Sequence, residues 1–225
     1  MTNDPVIQLT KVSKTYVSGH ETLRVLQDVT FTGLRGETIA IRGKSGSGKS
    51  TLLNIIGGLD RADAGEVRIE ALQISALSSS QIARFRRTHI GFVFQRFNLL
   101  SGLSAIENVI IPLRLNNVAP NAAIERATAA LRRVGLSDRL GSKSSQLSAG
   151  EMQRVAIARA IAHEPTVLLA DEPTGSLDPA NAEIILNYLQ DLAGAVSVLV
   201  THDQSVADRC RTEYLLDQGR LERSR

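Results

Sequence analysis

Eight consecutive residues carry the first chemistry in this chain: Gly43, Lys44, Ser45, Gly46, Ser47, Gly48, Lys49 and Ser50. They match the spacing G-x-x-x-x-G-K-[ST]. Glycines there let the backbone curl until successive N–H groups point at one centre, which suits phosphate oxygens. An apolar run, residues 38–41, precedes the cluster, and a Leu- and Ile-rich run, residues 50–56, follows it. A strand, a loop and a helix in that order would put the positive end of the helix behind the phosphates. Lys49 is then a point charge for the β- and γ-phosphates. Ser50 offers a hydroxyl to Mg2+, and Thr51 continues the turn. The plain alternative is a Gly/Ser-rich turn before a helix. By ordinary residue frequencies this spacing arises by chance in on the order of one chain in a hundred of this length. The loop points to a nucleoside triphosphate without choosing the base.

A second pair of groups could complete that chemistry. Residues 167–170 are apolar and end in Asp171 and Glu172. Ligands of open α/β sheets bind beyond the carboxyl ends of the strands. Asp171 is placed to hold Mg2+, directly or through water. Glu172, the next residue, points another way and is the candidate general base for the attacking water. Taken alone, two acids are also an ordinary strand ending; the phosphate loop upstream favours the catalytic reading.

The elements that must position these groups follow from hydrophobic periodicity. Strands are expected at residues 6–12, 25–31 and 38–41, with a hairpin-like pair at 65–74. A helical stretch spans about 78–140, with helices at 81–87, 104–111 and 121–134 and a loop at 116–120, where Asn-Asn and Pro break the pattern. Beyond it, helices are expected at 150–163, 180–193 and 204–209, and strands at 167–170, 196–201 and 214–217. Alternating strands and helices imply a largely parallel sheet in an α/β fold, interrupted by a helical insertion.

Composition agrees. The chain has 225 residues, 43% hydrophobic and only 4% aromatic, so a core of Ile, Leu, Val and Ala is expected. Cys210 is the one cysteine, which excludes a disulfide framework or a Cys-based metal site within one chain and reads as a small buried apolar residue. Net charge is +3 and the charges are interspersed, so no nucleic-acid partner is expected. No apolar run approaches the ~18 residues needed to cross a bilayer. The first five residues show no signal-peptide pattern, so any pore must come from a second polypeptide.

Between the two motifs lies Leu147-Ser148-Ala149-Gly150-Glu151-Met152-Gln153-Arg154-Val155. On local physics, Ser148 with Glu151 three residues on is a capping box at a helix start. The segment also resembles the LSGGQ signature of ABC ATPases, and with it nearly the whole chain resembles an ABC nucleotide-binding domain. The resemblance implies a P-loop NTPase fold with an antiparallel N-terminal β region. It divides the chain into a core at about 1–94 and 165–225 and a helical signature subdomain at about 95–164. It further implies that Ser148 and Gly150 act in trans, on the γ-phosphate bound by a second copy. Tyr16 resembles the aromatic residue that stacks on adenine, which selects ATP. Gln95 resembles the Q-loop glutamine, near Mg2+ or the water. Ser176-Leu177-Asp178 resembles the D-loop, and His202 the switch histidine at the γ-phosphate. His20, His89 and His163 match no motif and read as surface or packing residues.

A finer resemblance, to the lipoprotein-releasing, macrolide-efflux and cell-division group of ABC systems, rests on three stretches. They are Phe94-Gln95-Arg96-Phe97-Asn98-Leu99-Leu100, Glu107-Asn108-Val109 and Ile111-Pro112-Leu113. It implies an ATP-hydrolysing homodimer at the cytoplasmic face of a bacterial inner membrane, driving an integral membrane permease of the FtsX/MacB-like type by export or mechanotransmission. Ala149 stands where the signature has its second glycine, Met152 replaces a more usual polar residue, and residues 141–145 lack the usual proline. Two other readings are open: a non-transport ABC ATPase acting on DNA or ribosomes, and a P-loop GTPase switch. One motif set and no sustained heptads weigh against the first; the signature and the lack of a guanine-reading motif weigh against the second.

Overall fold

In the computed structural model, residues 5–19, 21–175, 177–190 and 194–225 are described. The chain opens with two long strands, β1 (Pro5–Ser18) and β2 (Glu21–Leu34), paired antiparallel. β3 (Thr38–Arg42) leads through the glycine loop into α1 (Lys49–Ile56). A short hairpin follows, β4 (Ala64–Ile69) and β5 (Leu72–Gln73), then α2 (Ser79–His89) and β6 (Ile90–Val93). Three helices come next: α3 (Ala105–Leu115), α4 (Pro120–Arg133) and α5 (Ala149–Ile161). The chain closes with β7 (Val167–Asp171), α6 (Pro179–Gln190), β8 (Val196–Thr201), α7 (Gln204–Asp208), β9 (Thr212–Asp217) and β10 (Arg220–Arg223).

Two sheets result among the described residues. One runs β2-β1-β4-β5 and is antiparallel. The other runs β10-β9-β3-β8-β7-β6 and is parallel except at its β10 edge. The parallel strands are covered on both faces, which explains their unbroken apolar runs. In β7 the alternation is explicit. Val167 and Leu169 join the core shared with α1 and the antiparallel sheet, while Leu168 and Ala170 join the core beneath α3, α4 and α5. Side chains of this size contribute about 1.5–3 kcal/mol each when buried, so both faces are driven inward.

The expected fold class, a mainly parallel core with an antiparallel N-terminal β region and a helical insertion, is the one observed. Several element limits differ. The expected helical stretch is interrupted by β6, whose Ile90 and Val93 are buried in the sheet. α3 does not stop before Pro112 but runs to Leu115. A proline removes one helical hydrogen bond, yet Val109 and Leu113 are fully buried on either side and hold the face together. β1 and β2 are each 14 residues, longer than their apolar cores suggested, because pairing continues through polar residues to their tips. The expected helix at 180–193 lies partly outside the described residues. Cys210 is buried, and burial pushes its thiol up to about 11, so it behaves as a small apolar group. No described helix is long and apolar enough to cross a membrane.

Candidate functional site

β3 ends at Arg42, and the chain then turns through glycines that a side chain would block. A Cβ at Gly43 would lie 2.3 Å from the Leu216 carbonyl oxygen. Gly48 has φ +103 and would set a Cβ 2.8 Å from the Val25 carbonyl oxygen. Gly48 is the N-cap of α1, and no side chain caps that helix. Its first amides thus remain available to an anion. The Lys49 ammonium is buried and donates to the carbonyls of Gly43 (2.8 Å) and Lys44 (2.9 Å). Within the loop, Ser47 has a buried, unpartnered Oγ.

Above this loop opens a cleft of about 690 Å³. The phosphate loop contributes Ser45, Gly46, Gly48 and Lys49 to its wall, and Ser50 and Thr51 follow from α1. Gln95, Asp171, Glu172 and His202 also line it. Tyr16 from β1 and Leu23 and Val25 from β2 complete the lining. Gly43, Lys44 and Ser47 shape the floor rather than line it.

Asp171 and Glu172 point different ways, as expected. Asp171 accepts a hydrogen bond from the Ser50 hydroxyl. Burial first, and the adjacent Glu172 carboxylate second, push the Asp171 carboxyl above its ordinary value, against Ser50 and Lys49. A hydroxyl and a carboxylate converging beside a lysine are the hard oxygen donors that Mg2+ prefers, so these residues fit that ion. Glu172 has φ +45, uncommon for a residue with a Cβ and a small local strain. Its carboxylate sits 2.8 Å from His202 Nδ1, which donates, and accepts from Thr201 Oγ1 at 3.3 Å. Thr201 was not anticipated, nor were the apolar walls Leu23 and Val25.

Ser148 and Gly150 do not line this cleft. Ser148 is the N-cap of α5, exposed, in a complete capping box: its Oγ accepts from Glu151 N, and the Glu151 carboxylate accepts from Ser148 N. Ala149 is the first helical residue, where φ is negative and a methyl group is tolerated, so the replaced glycine leaves the helix start intact. Gly150 is buried, and a Cβ there would lie 2.7 Å from Asn181 Oδ1. Asn181 also accepts from Arg154 (3.2 Å) and donates to Asp178 Oδ2 (2.7 Å). On the next turn surface, Gln153 Nε2 donates to the Pro173 carbonyl at 2.8 Å. Ser176 lies outside the described residues, as does His20. His89 stacks on Phe85, and His163 contacts the Ile90 carbonyl, with burial lowering its pKa.

A parallel sheet whose strands end at a glycine loop and an acidic pair defines the class: a P-loop nucleotide-hydrolysing domain. Residues 26–175 match the family model described as ABC transporter. The chain belongs to the ABC transporter family, as one of its ATPase domains. It is 44% identical over 222 residues to the "Lipoprotein-releasing system ATP-binding protein LolD" of Alcanivorax borkumensis, covering 97% of each chain. It is 45% identical over 220 residues to the "Macrolide export ATP-binding/permease protein MacB" of Burkholderia thailandensis, where it spans 34% of that protein's length. Among solved structures, "Dimeric structure of a post-hydrolysis state of the ATP-binding cassette MJ0796 bound to ADP and Pi" matches with TM-score 0.88 and 39% identity, over 97% of this chain and 99% of that one.

Proposed function

We propose that this chain is the ATP-binding and ATP-hydrolysing subunit of an export or mechanotransmission system. It works as a head-to-tail homodimer around two ATP molecules at the cytoplasmic face of a bacterial inner membrane. A separate integral membrane permease, of the type joined to the ATPase in the MacB relatives, is its partner. One observation carries the reading. The chain builds both a phosphate cleft and an exposed serine-capped helix tip, and the two do not meet within one copy. The MJ0796 cassette, described as dimeric with ADP and phosphate, is a precedent for pairing.

In this reading the roles divide as follows. The phosphate loop, with Lys49, holds the β- and γ-phosphates. Ser50, Asp171 and Gln95 would hold Mg2+, which would supply neutralisation of phosphate charge. Tyr16 stacks on adenine. Glu172 takes a proton from the attacking water, and His202 holds its carboxylate in place. Ser148 is exposed at the start of α5, and its hydroxyl, which in the single copy is bonded to the Glu151 carboxylate, can turn to a γ-phosphate held by the second copy. The nucleotide core is residues 1–94 with 165–225. The helical part, 95–164, carries the permease contact near exposed Leu100 and partly buried Phe97 and Leu99.

The test is Glu172→Gln with ATP and Mg2+. Hydrolysis should fall on the order of a hundredfold or more, ATP should still bind, and the subunit should elute as a dimer. Turnover at the unmutated rate removes Glu172 as base. An ATP-loaded monomer in every condition, permease included, removes the head-to-tail arrangement.

A further inference from the structure

The flank of the cleft holds a charge cluster that the reaction does not use. Lys14 is buried, with 8% of its surface exposed, although lysines are ordinarily solvated. Its ammonium spends three donors on one loop: Asp60 Oδ1 at 3.0 Å, the Arg61 carbonyl at 2.7 Å and Asp63 Oδ1 at 3.5 Å. The same ammonium stands 5.1 Å from the centroid of the Tyr16 ring. Asp60 Oδ2 accepts from the Tyr16 hydroxyl at 2.6 Å. Asp63 accepts from Thr15 N at 2.7 Å, and Asp63 N donates to the Ser13 carbonyl. The loop is itself tied to α1, since Leu59 N and Asp60 N both donate to the Asn54 carbonyl.

Tyr16 is therefore fixed at both ends. Its hydroxyl is bonded to a carboxylate, one ring face is covered by a cation, and 41% of its surface stays exposed. Tyr16 lines the cleft and Lys14 does not, so the ammonium sits outside the cleft wall. A cation over one face draws π density toward itself, leaving the opposite face better suited to an electron-rich purine.

Building on the proposed ATP site, we propose that Lys14, with Asp60 and Asp63, is a positioning residue for the base. The cluster bolts the Tyr16 platform to the phosphate-loop helix and presents one prepared ring face to adenine. Its contribution is to nucleotide affinity and not to bond cleavage. Burial and then the bond to Asp60 raise the Tyr16 pKa, so the hydroxyl remains a donor at neutral pH.

The test uses the purified full chain with ADP, which cannot turn over, followed by ATP kinetics. Lys14→Met should weaken ADP by about two- to fivefold, as expected for one cation–π contact. KM for ATP should rise by a similar factor while kcat holds within about twofold. In a Tyr16→Ala background the same substitution should change ADP affinity no further. An equal loss in both backgrounds overturns the proposal, as does a silent Lys14→Met where Tyr16→Ala weakens binding. If Tyr16→Ala itself leaves ADP affinity unchanged, the adenine platform falls and this inference with it. Asp60→Asn, which keeps the volume but drops the charge, repeats the test should Lys14→Met fail to fold; no effect there also overturns the proposal.

Discussion

Two helices in this molecule begin next to small residues, and they begin in opposite ways. α1 starts from Gly48 in the left-handed region, with no side chain on its amides. α5 starts from Ser148, whose hydroxyl and partner Glu151 complete a capping box. The first start is unsatisfied and invites an anion. The second is self-satisfied, its hydroxyl and first amides held by Glu151. In the proposed reading, free helix-start amides belong to the side that holds the phosphates, and a capped start to the side that senses them.

Three substitutions would break or sharpen that contrast. Lys49→Ala should have the largest effect. Hydrogen bonds to charged groups are worth about 1.5–3 kcal/mol, so ADP affinity should drop roughly ten- to a hundredfold with little change in melting temperature. Calorimetry that finds unchanged affinity would take the phosphate loop out of the site. Ser148→Ala should do the reverse. Losing an N-cap costs about 1 kcal/mol, or roughly 2–4 °C in a chain of this size. ADP affinity of the single subunit should stay the same, while the ATP-driven dimer of Glu172→Gln weakens. A dimer indifferent to Ser148 would mean the capped tip senses nothing.

Asp171→Asn should shift stability less than Ser148→Ala does, and its sign is informative. Burial, then Glu172, hold the Asp171 carboxyl above its ordinary value. A raised carboxyl stabilises the fold below its unfolded pKa and loses that contribution as pH rises through the folded one. Without nucleotide or Mg2+, Asp171→Asn should thus melt slightly higher than the unmutated chain at pH 7, by less than the Ser148→Ala shift. The difference should shrink toward pH 4. Added Mg2+ and ADP should reverse the ranking, and a variant less stable at pH 7 without ligand would show that Asp171 is not strained by its burial.

Much of this was legible in the chain because the signals are local. The glycine spacing at 43–50, the apolar run ending in Asp171 and the Ser148–Glu151 pair each occupy a handful of adjacent residues. The capping box of α2, Ser78 with Gln81, has the same local form, yet the apolar pattern alone placed that helix two residues late. What escaped was long-range. Lys14 and Asp60 lie 46 positions apart, and nothing near either residue marks the pairing. Val25 reads as an ordinary strand residue, and Leu23 lies ahead of the strand expected at 25–31, until β2 pairs with β1 beside Tyr16. β6 was hidden because four residues between helices give too little periodicity to separate strand from helix.

Gln153 and Arg154, neighbours on α5, each grip the stretch that follows β7: one at the Pro173 carbonyl, one at Asn181. The helix is thereby a lever pinned at two adjacent points close to its Ser148 end. The first of those points is the carbonyl of the residue immediately after Glu172, so the Ser148 end of α5 and the proposed general base of the same subunit are joined through a single side chain.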